Sequence, residues 1–245
     1  WIKKYNLQNN KIIDMELVEN AIVISQTKRE PSKKVLDAEK LPKSIIRIIQ
    51  VLYKKGIDEI KVLNGTPQIT NEITKIIEQR CIGFEIIDQS KDYFIIKDIA
   101  KESAEDFSTL LRRSFLIVLQ LFEEENKENL ENLDKSLNKI TAYCQRLLIK
   151  KGYHEFTNIN YYSRLCSELE HIGDEYKRAL LNKEKISKTC NNLMKELYNL
   201  FYKFNEEGFD NLQKILINYK TGKYHEDLIV RRINTALGFV YAIKG

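Results

Sequence analysis

Hydrophobic positions change their spacing near residue 100, and that change divides the chain. Before it, short apolar runs are interrupted by two amphipathic stretches. After it, apolar residues recur three and four positions apart almost to the end, the spacing of one side of an α-helix. In the first part, WIKKYNL reads as a short helical turn and Asn9-Asn10 as a turn. Residues 12–18 and 21–25 read as two strands joined at Glu19-Asn20. Residues 26–41 are polar, contain Pro31, and read as a linker. Residues 42–100 read as a small α/β unit. Pro42 suits a first helical position, and Ile45, Ile46, Ile49, Leu52 and Tyr53 form a stripe that stops at Gly56. A strand at 58–63, a turn at Asn64-Gly65 and a helix with Ile69, Ile73, Ile76 and Ile77 on one side come next. Strands at 83–88 and 93–98 close the unit. The order α-β-α-β-β predicts a two-layer sandwich.

Six helices are expected in the remainder, near 101–125, 128–151, 158–182, 184–206, 208–220 and 225–243. The breaks fall at Asn126-Lys127, Gly152, Asn182-Lys183, Gly208 and Gly222. Ser103 with Asp106 three residues on resembles a capping start. Short connections between long helices predict antiparallel neighbours. NLENLDKSLNKI in the second helix and GFDNLQKILINY in the fifth are loosely alike, which suggests a duplicated three-helix unit.

Composition supports a mainly helical, well-folded chain. Charged residues make up 31% and hydrophobic ones 43%, which argues against disorder, and 9 glycines and 3 prolines are few for a strand-rich protein. The net charge of +5 is spread along the chain, so it permits contact with nucleic acid or an anionic surface without requiring it. Lys3, Lys4, Lys28 and Arg29 are the candidates for such contact. Cys81, Cys144, Cys166 and Cys190 make no C-x-x-C pair and read as small hydrophobes in a reducing cytoplasm. No run is long enough to span a membrane, and no stretch reads as a signal peptide. The chain begins at Trp1 in mid-pattern, so natural residues are expected upstream.

The stretch 161–180, YYSRLCSELEHIGDEYKRAL, carries the candidate chemistry. Leu165, Leu169, Ile172, Tyr176 and Leu180 define an apolar stripe, and Glu170 and Asp174 fall one turn apart nearly opposite it. Carboxylates at that spacing suit a hard cation, provided neighbouring helices supply further oxygen ligands. Asp134 and Asn138, also four apart, are candidates for that. A solvated helix face is the competing reading. Glu102/Asp106 and Glu206/Asp210 match the same spacing, one at a helix start and the other across the break at Gly208. Glu168 with His171 has the E-x-x-H spacing of di-iron bundles, but His154 and His225 lack a glutamate three residues earlier, so a di-iron oxidase is set aside. His171 reads as a polar boundary residue or a further ligand. Arg112-Arg113 and Arg231-Arg232 read as solvated helix charges. No Gly-rich phosphate loop or catalytic constellation is evident, and no enzymatic activity is expected.

Leu169-Glu170-His171-Ile172-Gly173-Asp174 resembles the L-E-R-I-G-D signature of the PhoU phosphate-signalling family. DFSTLLRRSFLIVLQLFEE and LDKSLNKITAYCQRLLIKKGY precede it as they would in that family. WIKKYNLQNNKIIDMELVENAIVIS resembles the second half of an AbrB (SpoVT-type) DNA-binding domain, with Asn9-Asn10-Lys11 in place of its Gly-Asp turn. The order of modules is similar to that of archaeal-type fused PhoU regulators, over nearly the whole chain. The resemblance implies a mainly α fold. A PhoU-like bundle of two three-helix repeats, about 101–182 and 184–245, would follow the small α/β sandwich and a partial AbrB-like β hairpin at 1–25. It implies regulation of phosphate uptake through phosphate-transporter or sensor-kinase components, with promoter DNA as a further partner, and a homodimer. It implies an E-x-x-x-D metal motif in each repeat, for iron, zinc, nickel or magnesium. The sixth helix, HEDLIVRRINTALGFVYAIKG, lacks that motif, and His171 replaces its arginine. The alternative is an AbrB-type transcription factor whose bundle serves dimerisation or ligand sensing.

Overall fold

The computed structural model describes residues 14–18, 21–25, 31–41, 43–100, 107–151 and 156–245. Asn9-Asn10, Lys3, Lys4, Lys28, Arg29, Pro42, the Ser103/Asp106 start, Gly152 and His154 lie outside them. The elements run β1 (Asp14–Val18), β2 (Ala21–Ser25), β3 (Lys33–Asp37), α1 (Ile45–Lys54), β4 (Glu59–Leu63), α2 (Pro67–Arg80), β5 (Phe84–Gln89) and β6 (Tyr93–Asp98). Six further helices follow: α3 (Phe107–Leu121), α4 (Lys127–Lys151), α5 (Ile159–Leu181), α6 (Lys188–Tyr202), α7 (Glu206–Asn218) and α8 (Tyr224–Lys244). The fold is mainly helical with a small four-stranded sheet.

β1 and β2 pair antiparallel in the expected place. The stretch 26–41 is not all linker. Its residues Lys33–Asp37 pair in parallel with β4, and the sheet order is β3-β4-β6-β5. The α/β unit therefore starts a strand earlier than the helical stripe announces. Leu36 is the buried side chain of β3 and the other four positions are exposed or half-buried, as suits an edge strand whose outer face is uncovered. α1 and α2 cover one face of this sheet. Ile45, Ile49 and Tyr53 from α1 and Ile73 and Ile77 from α2 meet Ile60, Val62, Phe84, Phe94 and Ile96 from the strands. Thr66 caps α2 by accepting from the Ile69 N–H at 3.3 Å, with Pro67 at the first helical position. α1 ends at a Gly56 with φ of +84°, which a side chain would strain.

The helices after residue 100 overlap the expected spans, but α3 ends at Leu121 and α6 runs only over Lys188–Tyr202. Gly208 is not a break but lies in the first turn of α7, where Asn205 accepts from its N–H at 2.7 Å. The chain turns instead between Tyr202 and Glu206. α5 is the central helix and packs against α3, α4 and α8, while α6 and α7 pack on α8. α4 touches α3 and α5 on one side and α1 and α2 on the other. Residues 141–148 of α4 are consequently buried at every position.

Candidate functional site

The carboxylates singled out on α5 face α4 and the α/β unit. The Glu170 side chain is 14% exposed, which corrects the expectation of a solvated back to this helix. That expectation counted a single apolar stripe, whereas α5 is covered on several sides. Gly173 makes the approach of α4 possible. A Cβ there would lie 2.5 Å from Leu137 Cδ2 and 3.2 Å from Leu121 Cδ1, below normal van der Waals separation.

Asp134 and Asn138 of α4 are buried and join the same cluster. Arg80, the last residue of α2, donates from Nη1 to Glu170 Oε1 at 3.1 Å and to Asn138 Oδ1 at 3.4 Å. Lys54, the last residue of α1, places its Nζ 3.6 Å from Glu170 Oε2. Lys177, one turn beyond Asp174 on α5, donates to Asp134 Oδ2 at 2.7 Å. Asp174 is half-buried. Burial, then the negative charges of Asp134 and Glu170, push its carboxyl above the usual range, against the smaller pull of Arg178 and Arg80.

The four oxygen-bearing residues expected from the sequence are therefore brought together, but with cations among them. Among the described residues, no group of three His, Cys, Asp or Glu side chains is arranged to hold a metal ion. Glu170 and Asp134 already spend oxygens on Arg80, Lys54 and Lys177, so the arrangement does not fit a metal. His171 stands apart. Its Nδ1 lies 4.0 Å from Glu168 Oε1 and makes no hydrogen bond, while Glu168 pairs with Arg232 at 3.4 Å. Glu206 and Asp210 share one helix, with Asp210 paired to Lys214.

Two further polar clusters were not foreseen. On the α/β side of α4, Arg146 is 1% exposed and sits against the edge-to-face pair of Tyr53 and Phe84, 4.9 and 5.0 Å from their ring centroids, a cation–π position. It donates to the Tyr53 carbonyl at 2.7 Å and to Asp98 Oδ2 at 2.6 Å. Lys150, one turn on, donates to Asp58 Oδ1 at 2.7 Å and to Asp98 Oδ2 at 3.2 Å. The available signal was the mixed run TAYCQRLL, which leaves α4 no solvent side, together with an aspartate at the end of each of two strands.

The second cluster lies at the start of α8. His225 Nδ1 is 2.9 Å from Glu175 Oε2, and its Nε2 is 2.8 Å from Asn182 Nδ2. Fully buried Glu226 accepts from the hydroxyls of Ser187 and Tyr219 and from Lys223. Burial pushes its carboxyl up, but those hydrogen bonds outweigh burial and hold it below the usual range. Ser187 also caps α6 through the Cys190 N–H, so the cluster ties the α5–α6 connection to α8.

The four cysteines are all buried and free. Burial pushes Cys81 up to about 12 and Cys190 higher still, while a hydrogen bond to Cys166, then burial, raises Cys144. No helix among the described residues is long and apolar enough to cross a membrane. No family model matches the chain, and no curated protein or solved structure matches it either.

Proposed function

We propose that the chain is a non-enzymatic cytoplasmic regulator of the PhoU type. It restrains phosphate uptake through contacts with phosphate-transporter or sensor-kinase proteins and acts as a homodimer. The observation that carries this reading is the placement of Leu169–Asp174. That stretch lies on the central helix of a long-helix bundle, with its glycine where Leu137 of α4 and Leu121 of α3 leave no room for a side chain. In this reading α3–α5 and α6–α8 are the two three-helix repeats. The antiparallel β1–β2 pair favours a second reading, a DNA-binding transcription factor whose bundle serves dimerisation or sensing.

One experiment on the full-length protein separates the two. Affinity for promoter DNA from phosphate-transport genes is measured against salt, alongside capture of transporter and sensor-kinase components. A protein that reads DNA binds it at low salt and weakens steeply as salt rises. The regulator reading expects a phosphate-dependent complex with one of those proteins. Absence of any such complex, with tight and salt-dependent DNA binding, would overturn it.

A further inference from the structure

We infer that Glu170 of the Leu169–Asp174 stretch and Asp134 beside it are neutralised by the protein's own cations, and that the site is a metal-independent clasp holding the α/β unit on the bundle. Glu170 is paired with two cations, Lys54 and Arg80, and Asp134 with one, Lys177, while Asp174 beside them is pushed toward its protonated form. An incoming divalent ion would have to displace these cations to reach the paired oxygens. The cations are also specific in origin. Lys54 and Arg80 are the last residues of α1 and α2, where positive side chains are favoured by the helix dipole. Both helix ends point at one carboxylate. A single Arg80 nitrogen bridges Glu170 of α5 and Asn138 of α4, joining the two helices from outside as a shared ligand atom would.

The clasp has a counterpart of opposite polarity one surface away. There the cations Arg146 and Lys150 belong to the bundle and the carboxylates Asp58 and Asp98 belong to the α/β unit. The α/β unit thus presents cations at one point and carboxylates at another, and the bundle presents the complement at each. Crossed polarity fixes one docking orientation, because a shifted unit would set like charges against each other. This inference stands on the ion-pair geometry and holds whether or not the chain regulates phosphate uptake.

The test uses the full-length protein purified without chelators. Metal content is measured by elemental analysis, and amide hydrogen exchange is followed in α2 and α5 with and without EDTA. The clasp predicts no stoichiometric metal and exchange that EDTA does not change. It predicts that Arg80→Gln speeds exchange in α2 by about tenfold, the factor expected for one lost charged hydrogen bond. Arg80→Lys, which keeps the charge, recovers part of the protection. One bound metal per chain that is lost in Glu170→Gln, with EDTA accelerating exchange in the wild type, would overturn the inference. Unchanged α2 protection in Arg80→Gln would overturn it equally.

Discussion

Arg146 on α4 donates to the carboxylate of Asp98 at the end of β6 across 2.6 Å, and with this bond the helical bundle grips the α/β unit from inside. The guanidinium is almost fully enclosed, and its second donor goes to the carbonyl of Tyr53. A buried charge of this kind is tolerated because its neighbours compensate it: two carboxylates, one carbonyl and two ring faces.

Removing that arginine is therefore expected to be severe. Arg146→Met keeps much of the volume but leaves Asp98 with Lys150 as its cation and the Tyr53 carbonyl with the Gly56 N–H as its donor. The expected loss is about 3–5 kcal/mol, typical of breaking one side of a buried ion pair. Urea unfolding of the two proteins measures it. A loss within experimental error would show that Lys150 alone can hold Asp98.

Gly173→Ala sets two effects against each other. Alanine is favoured over glycine inside a helix by about 1 kcal/mol. The added methyl, however, meets Leu137, which is itself buried against its neighbours. Overpacking costs about 1–3 kcal/mol, so a net loss is expected. The control is Gly173→Ala in a Leu137→Ala background, where the space exists and the methyl becomes stabilising. Thermal unfolding of the four proteins gives both signs.

Acid should act on two parts of the molecule in opposite directions. Asp174 has a raised pKa in the folded state, so folding favours its protonated form. Its contribution is most favourable below the ordinary aspartate pKa of about 4 and is lost as pH rises through the raised value. Asp174→Asn is accordingly expected to stabilise the protein at pH 7 and to lose that advantage below about pH 4.

Asp58 behaves the other way. Burial raises it, but hydrogen bonds from Lys150 and Ser32 outweigh burial and hold its carboxyl below the usual range. Its contribution is present above the ordinary pKa and is lost as pH falls through the lowered one. Asp58→Asn should lower stability at pH 7 and flatten the loss on acidification. Unfolding free energy measured from pH 3 to 8 tests both aspartates, and parallel slopes in the two variants would contradict the assignment.

How much of this was legible in the sequence depends on which neighbours a residue has. The six long helices were readable because an apolar stripe repeats along each of them, whatever else of the helix is covered. β3 was not, because an edge strand with one buried residue, Leu36, carries no alternation to see. Glu170, Asp174, Asp134 and Asn138 were found as candidates from spacing within single helices, and the fold brings them together. Their cations were missed because Lys54 and Arg80 come from a different unit, 116 and 90 residues away in sequence, and no local period connects them. Arg146 was hidden for a related reason. A helix enclosed on all sides has no polar face against which a buried charge would stand out.

The central claim, restraint of phosphate uptake, is tested most directly by labelled-phosphate uptake in cells grown with abundant phosphate. Deleting the gene is expected to leave uptake high under those conditions, and the wild-type gene to restore its repression. Equal, fully repressed uptake in the deleted and complemented strains would contradict it.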